Sequence, residues 1–575
     1  MREKQSHTTF SETKRRGFIA GVASLLSAAA YTQDIPEAAA APVTSQNDGD
    51  TQRVTSPDGS IAVTVDVSDG TPTYSVAVDG TTYVEESTLG FDFQNQPTFG
   101  AGTDESADVT VTGRESGQPT EVWEPVWDQY DRVEAQYTEL RLGLTETATP
   151  NRSGNLEVRV FDDGLGFRFL LDESFAANAD RAVVRSENTQ VAFAGDYTCW
   201  WIQNAFTNPR FEQEYTESAL SEVTAGTRRI RPNDTEIRTG AHTPLTVEAD
   251  GETYLSVHQA NLDDYALASL APTSDGGGTQ FETQLAPLPD NTKVSWELPN
   301  ATPWRTIQVG SSPDDLRESS LVPLLNEELD TDALPSTGGK PDTDWLTPRK
   351  YVGIWWTMIA GNANWEYRDD AGPDYIHGAR TERMQRYMHF AANNGIESVL
   401  AEGWNRGWDT YPGNGTGLEM GVEESYPDFD VPAVTDYGAG LDESVEMTMH
   451  NETAGNIVNY EAEILDDDIF AGYESEGIRS IKNGYVSNPG LGFEGNGARA
   501  THTQHSQLAV THNRRVIAEA ASERQWLEIH EGIVPTGERR TYPNVGAREV
   551  VKAQEYDGFG ALGSSVGRDH HVTLP

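Results

Sequence analysis

The sequence predicts a multidomain fold, an N-terminal all-β super-sandwich followed by a (β/α)8 TIM-type barrel. Three observations carry it: short alternating runs with turn residues up to about Leu321, a breaker cluster within residues 326–344, and a strand–helix rhythm after it. Early in the chain, residues 61–67 (IAVTVDV) are followed by Asp69-Gly70, and residues 74–78 (YSVAV) by Asp79-Gly80. Asp-Gly pairs between alternating runs mark hairpins, because both residues tolerate the positive φ a tight turn requires. Further strands read at Leu156 to Phe161, Gly166 to Leu171 and Trp304 to Val309. Regular spacing with few helical runs makes residues 53–325 a β-sandwich.

Residues 326–344 contain Pro335, Gly338, Gly339 and Pro341 and read as a linker. Beyond it, strands near 350–356, 397–402, 446–451, 478–482 and 526–530 alternate with helical stretches from Thr381 to Asn394, Gly455 to Asp466 and Gln504 to Ser522. This alternation predicts a parallel sheet closing into a barrel across residues 345–575. About five strands are countable where a closed barrel takes eight, so the barrel reads as incomplete and the chain as C-terminally truncated.

Composition narrows the function. The 91 acidic and 41 basic residues give a net charge of −50, while aromatic residues stay at 9%, which disorder would deplete. A folded protein with a densely carboxylated surface, a haloarchaeal type adapted to concentrated salt, is expected. The same charge excludes nucleic acid and anionic membrane as partners, since both need basic patches. Neutral substrates and divalent cations remain. Cys199 is the only cysteine, so neither an intrachain disulfide nor a cysteine-based zinc site is available. In residues 1–33, Arg15-Arg16 precede a small and apolar run through Ala30, as in a twin-arginine signal, too short for a membrane span. Residues 34–52 read as a flexible linker, and the protein as exported, extracellular or at the cell surface.

In a (β/α)8 barrel the catalytic groups sit at the C-terminal ends of the strands, around one open mouth. Glu402 falls at the end of the second predicted strand, His450 and Glu452 at the third, Lys482 at the fourth, and His530 and Glu531 at the fifth. His450 and Glu452, two apart, share one face of an extended backbone. With 91 carboxylates in 575 residues a lone Glu is no signal, whereas a His beside a Glu at a strand end is. Trp355, Trp356, Trp404 and Trp408 read either as barrel packing or as stacking platforms for sugar rings. Glu549 and Glu555, six apart, would point in different directions on a continuous helix, so they need a break or a bridging cation to act together.

The wording of these segments is specific: Lys350-Tyr351-Val352-Gly353-Ile354-Trp355-Trp356, Glu402-Gly403-Trp404-Asn405, His450-Asn451-Glu452-Thr453, and His530-Glu531 followed by Pro535-Thr536-Gly537 and Arg540-Thr541-Tyr542-Pro543-Asn544. In this order they resemble glycoside hydrolase family 97, which holds SusB-like α-glucosidases and α-galactosidases. The resemblance implies Glu555 as the general acid and Glu531 with Glu452 as the base pair that activates water, the inverting arrangement. It implies Glu402, His450, Lys482, His530 and Trp355 as substrate-binding residues. It also implies Ca²⁺ held by Glu531, Glu549, Glu555 and Glu212 of the sandwich, with Glu214 as the alternative to Glu212. The family's retaining branch carries an Asp nucleophile where Gly484 aligns here, which favours inversion. Asn451 departs from the His expected in the SusB-like enzymes. The expectation is a calcium-dependent α-glucosidase acting on α-linked oligosaccharides with inversion. The alternatives are an inactive member that at most binds carbohydrate, and a retaining α-galactosidase.

Overall fold

The computed structural model describes residues 49–103, 106–176, 181–204, 213–224, 227–228, 237–274, 277–409, 418–453, 456–485, 491–495 and 498–552. The predicted signal, most of the first linker, Glu212 and Glu555 lie outside them.

Strands Thr51–Thr55, Ile61–Asp66, Thr73–Val78 and Thr81–Thr88 run as antiparallel neighbours and continue through Gln190–Phe193, Gln280–Leu285 and Ala268–Pro272 into a seven-stranded sheet. Asp79 and Gly80 have φ of 49° and 82° and form the two-residue turn that pairs Val78 with Thr81. Positive φ at both turn residues matches the right-handed twist of the flanking strands, which is why the Asp-Gly pair was a dependable signal. A ten-stranded sheet, with Ser153–Phe161, Gly164–Leu171, Tyr254–Ala260 and Trp304–Gly310 among its strands, supplies the facing layer. Alternate residues of the two sheets, Val63, Val65, Tyr74 and Val76 with Leu156, Val158, Val160 and Phe167, are buried in one apolar core. Tyr74 and Phe167 meet across it with ring centroids 4.7 Å apart. A five-stranded sheet completes the sandwich.

The predicted linker is ordered and packed. Ser336–Thr337 and Lys340–Pro341 pair around Gly338 and Gly339, at φ of 63° and 79°, and Leu334, Trp345 and Leu346 are buried against Ala521 and Trp526.

The second region is built on a six-stranded, all-parallel sheet in sequential order: Tyr351–Gly353, Ser398–Ala401, Glu446–Glu452, Ser480–Gly484, Trp526–His530 and Val545–Glu549. Helices Thr381–Asn393, Val431–Ala439, Ile457–Leu465, Ile469–Ser475 and Gln507–Ser522 connect the first five strands. Their boundaries follow local chemistry. Asp430 accepts from Ala433 N at the start of Val431–Ala439, with Pro432 in the first turn, and Asn456 caps Ile457–Leu465 in the same way. Buried Met384, Met388 and Ala391 lie on one face of Thr381–Asn393, at helical spacing. The sixth strand was not foreseen. The sheet curves far enough for the Tyr351 hydroxyl on the first strand to hydrogen-bond the Glu528 carboxylate on the fifth.

The described residues form one compact unit. The loop after the fifth strand locks the two regions together: Thr536 O accepts from Asn261 N at 3.0 Å and from Asn326 Nδ2 at 2.7 Å. His258 Nε2 lies 2.9 Å from Pro535 O, and Arg540 reaches Leu324 O at 2.9 Å and the Glu121 carboxylate. The Pro535-Thr536-Gly537 and Arg540 motif residues therefore hold the sandwich to the parallel sheet. Among the described residues no helix is long and apolar enough to cross a membrane.

Candidate active site

Residues in register on a parallel sheet point to the same side, so side chains stack in rows up the curved interior. The deepest row is a hydroxyl ladder, with Ser398 Oγ 2.6 Å from Thr448 Oγ1 and Thr448 Oγ1 donating to Ser480 Oγ at 3.1 Å. Above it, His450, Lys482 and Glu528 are register partners on the third, fourth and fifth strands. Nearest the mouth, Glu452, Gly484, His530 and Glu549 are register partners on the third to sixth strands.

The predicted residues converge. His450 Nδ1 lies 3.8 Å from Glu402 Oε2, and His450 Nε2 lies 4.0 Å from Glu452 Oε2. Lys482 Nζ donates to Glu549 Oε2 at 2.8 Å and lies 4.0 Å from Glu528 Oε1. His530 Nε2 is 3.7 Å from Glu531 Oε1 and 3.5 Å from Glu549 Oε1, so these two carboxylates face a common point. The Glu531 backbone has φ of 53° and its N–H donates to Glu549 O at 3.2 Å, which turns the side chain into the mouth. Glu531 Oε2 accepts from the Tyr485 backbone N–H at 3.2 Å.

Gly484 explains how Glu452 fits. A Cβ at this position would meet Glu452 Oε2 at 2.2 Å and His450 Nε2 at 3.0 Å. Glu452 thus lies over Gly484, and Glu531 is held by the next residue, which brings both carboxylates to the end of the fourth strand.

The charge states follow from burial and neighbours. Burial pushes the His450 imidazole well below its usual range, and the Lys482 and His530 charges push it the same way. Burial alone would depress the Lys482 ammonium, but Glu549, Glu528 and Glu402 outweigh it and hold the ammonium well above its usual range. Burial alone would raise the Glu549 carboxyl, yet His530 and Lys482 hold it below. At neutral pH the pocket contains a neutral His450, a cationic Lys482 and an ionised Glu549.

The tryptophans divide between the two readings. Trp404 is fully buried and donates to His450 O at 2.9 Å, so it is packing that fixes the third strand. Trp408 stacks on Trp365 at 4.9 Å, and its ring lies 6.5 Å from that of His450. Trp355 follows the first strand at the same end of the sheet as the glutamates, half-buried and edge-on to the exposed Trp356 at 5.1 Å. Asn451 bears on no substrate contact: its amide donates to Tyr460 Oη at 3.1 Å and accepts from Tyr473 Oη at 3.0 Å, both on helices outside the sheet.

Two residues of the pocket were missed, Tyr351 and Glu528. Glu528 precedes His530 by two on one strand, so the parity that placed His450 beside Glu452 could have found it. Tyr351 stood in a quoted motif without a role. Of the expected calcium ligands, Glu531 and Glu549 come together. Glu214, the alternative to Glu212, pairs with Lys552 at 3.0 Å, three residues past the sixth strand, so its segment of the sandwich approaches the mouth. Among the described residues no group of three or more His, Cys, Asp or Glu side chains is arranged to hold a metal.

Residues 54–327 match the family model described as Glycosyl-hydrolase 97 N-terminal, and residues 355–551 the one described as Glycoside hydrolase 97. A curated retaining alpha-galactosidase of Bacteroides thetaiotaomicron is 23% identical over 521 residues, covering 87% of this chain and 67% of the relative. A probable retaining alpha-galactosidase of Streptomyces bingchenggensis is 20% identical over 497 residues, covering 85% of this chain and 63% of the relative. The chain thus spans about two thirds of the length of these curated relatives. A solved Glycoside Hydrolase Family 97 enzyme from Pseudoalteromonas sp. strain K8, in complex with acarbose, superposes with a TM-score of 0.77 at 30% identity, covering 88% of this chain and 70% of that one. A point variant of the same enzyme in complex with panose gives the same values.

Proposed function

The chain belongs to glycoside hydrolase family 97, and from that premise we propose that it is an exported α-glucosidase that hydrolyses α-linked gluco-oligosaccharides with inversion and depends on calcium. The observation that carries the reading is the placement of Glu452 over Gly484, beside Glu531, at the end of the fourth strand. Two carboxylates there can take the proton of a water molecule as it attacks the anomeric carbon. In the inverting arrangement the acid stands across the sugar, roughly 6.5–9.5 Å from the base, and protonates the leaving oxygen. Glu555 is assigned that role on the resemblance alone.

The remaining side chains bind and orient. Neutral His450 can donate from one ring nitrogen and accept at the other, which suits a sugar hydroxyl between Glu402 and Glu452. Lys482 donates to Glu549 and keeps it ionised. The acarbose and panose complexes of the 30% identical Pseudoalteromonas enzyme support a gluco-configured substrate.

The described donors fit a hard divalent cation in part. Glu531 and Glu549 turn carboxylate oxygens to a common point, as Ca²⁺ requires, and its six to eight oxygens would need Glu212 and Glu555 as well. When bound, the ion would offset the repulsion among these carboxylates.

The second reading, a retaining α-galactosidase, is favoured by the names of the two curated relatives. Against it stands Gly484, where an Asp side chain would collide with Glu452. Comparing kcat/KM for aryl α-glucoside and aryl α-galactoside in high salt separates the two. The α-glucosidase reading expects the glucoside to be preferred by at least about tenfold, with activity lost to a chelator and restored by calcium. Preference for the galactoside would overturn it.

A further inference from the structure

Behind the fourth strand, on the side away from the pocket, lies a buried relay that the proposed reaction does not use. Glu461 stands on helix Ile457–Leu465, and His512 and Arg515 on helix Gln507–Ser522. Arg515 Nη1 donates to Glu461 Oε2 at 2.6 Å, and Glu461 Oε1 lies 2.8 Å from His512 Nδ1. His512 Nε2 lies 3.1 Å from Tyr485 Oη. His512 and Tyr485 are each 1% exposed, so water does not compete for the contact between them.

The carboxylate fixes the far end of the relay. Burial would raise the Glu461 carboxyl, but His512 and Arg515 outweigh it and keep the group ionised, so it accepts from both. His512 Nδ1 then carries a proton toward Glu461, which leaves Nε2 facing the Tyr485 hydroxyl at 3.1 Å. Tyr485 is held at its other polar atoms too. Its carbonyl accepts from Gln504 Nε2 at 3.0 Å, and its N–H donates to Glu531 Oε2. Held at its hydroxyl and its carbonyl, Tyr485 is restrained on both sides of its backbone N–H, and the direction of that N–H sets the direction of the Glu531 carboxylate.

We infer that Tyr485 is a positioning residue for Glu531, and that Glu461 and His512 act on the pocket through it. The inference rests on the proposed role of Glu531 and adds the route by which two helices outside the sheet fix its geometry. Tyr485→Phe removes only the hydroxyl, and Glu461→Gln weakens the far end of the relay. In the full chain, each is expected to lower kcat on an aryl α-glucoside by about tenfold to a hundredfold, the scale of a sub-ångström to 1 Å misplacement. KM should stay within about twofold. In a Glu531→Gln background neither should lower kcat further, because the group they position is gone. An unchanged kcat in either folded variant, or losses that multiply with Glu531→Gln, would overturn the inference. Nitrogen-15 spectra of the histidine-labelled parent chain test the relay without any substitution: a His512 ring protonated at Nδ1 is expected, and a ring protonated at Nε2 alone contradicts it. Failure of the parent chain to turn over α-glucosides would overturn the functional reading and leave that spectrum to decide the relay.

Discussion

The pocket gathers five glutamates, Glu402, Glu452, Glu528, Glu531 and Glu549, around the ammonium of Lys482 and two imidazoles. Such a set can share one space only if the cation stays charged and is held from several sides, as Lys482 is. Lys482→Met should therefore destabilise the fold by about 3–5 kcal/mol, because it leaves buried carboxylates without their partner; urea unfolding measures it. Gly484→Ala should leave folding intact but displace Glu452, whose Oε2 stands 2.2 Å from the new Cβ. A kcat loss of about a hundredfold is expected, and full activity would remove Glu452 from the base pair. Much of this pocket was legible in the sequence: the two-residue period placed His450 with Glu452, and strand ends named Glu402, His530 and Glu531. The Tyr485 amide was not legible, because a backbone N–H leaves no mark on residue identity. Glu528 was legible and passed over, one more carboxylate in an acidic chain.

Among elements, the helix-linked strands were readable and the sixth strand was not. Val545–Glu549 is five residues long and half-exposed, and only the short turn Glu538–Arg540 lies between it and the fifth strand, so no helical period announced it. Its last residue, Glu549, is one of the pocket's carboxylates and stands on a strand, in keeping with the expectation that no continuous helix carries Glu549 and Glu555. The loop it follows is the clamp on the sandwich. Gly537 there has φ of 90°, and a Cβ would meet Asn326 Nδ2 at 2.3 Å and Val322 O at 2.6 Å. Gly537→Ala should cost about 1–3 kcal/mol through backbone strain and loosen the contact between sandwich and parallel sheet. Calorimetry should show a lowered Tm, and an unchanged Tm would remove this loop from the interface.

Over the whole molecule, buried titratable groups set a pH window. Burial depresses His450, His258 and His505 and takes His242 down to about 3, so folding keeps them neutral. Their contribution is complete above the unfolded histidine value of about 6.5 and is lost as pH falls below it. Burial raises the Glu463 carboxyl to about 8 and Asp264 to about 6, so their contribution is present in acid and is lost as pH rises through those values. Four histidines outweigh two carboxyls, so stability should climb steeply to about pH 6.5 and decline gently toward pH 8. Calorimetry across pH 4.5–8 checks this, and a maximum near pH 5 would contradict it. The net charge of −50 adds a second dependence. Screening at molar salt should relieve surface repulsion and raise Tm relative to about 0.1 M; a lower Tm would refute salt adaptation. The central claim is that Glu452 and Glu531 activate water for direct displacement at the anomeric carbon. Recording by NMR the anomer first released from maltose tests it most directly: the β-anomer is predicted, and the α-anomer would contradict it.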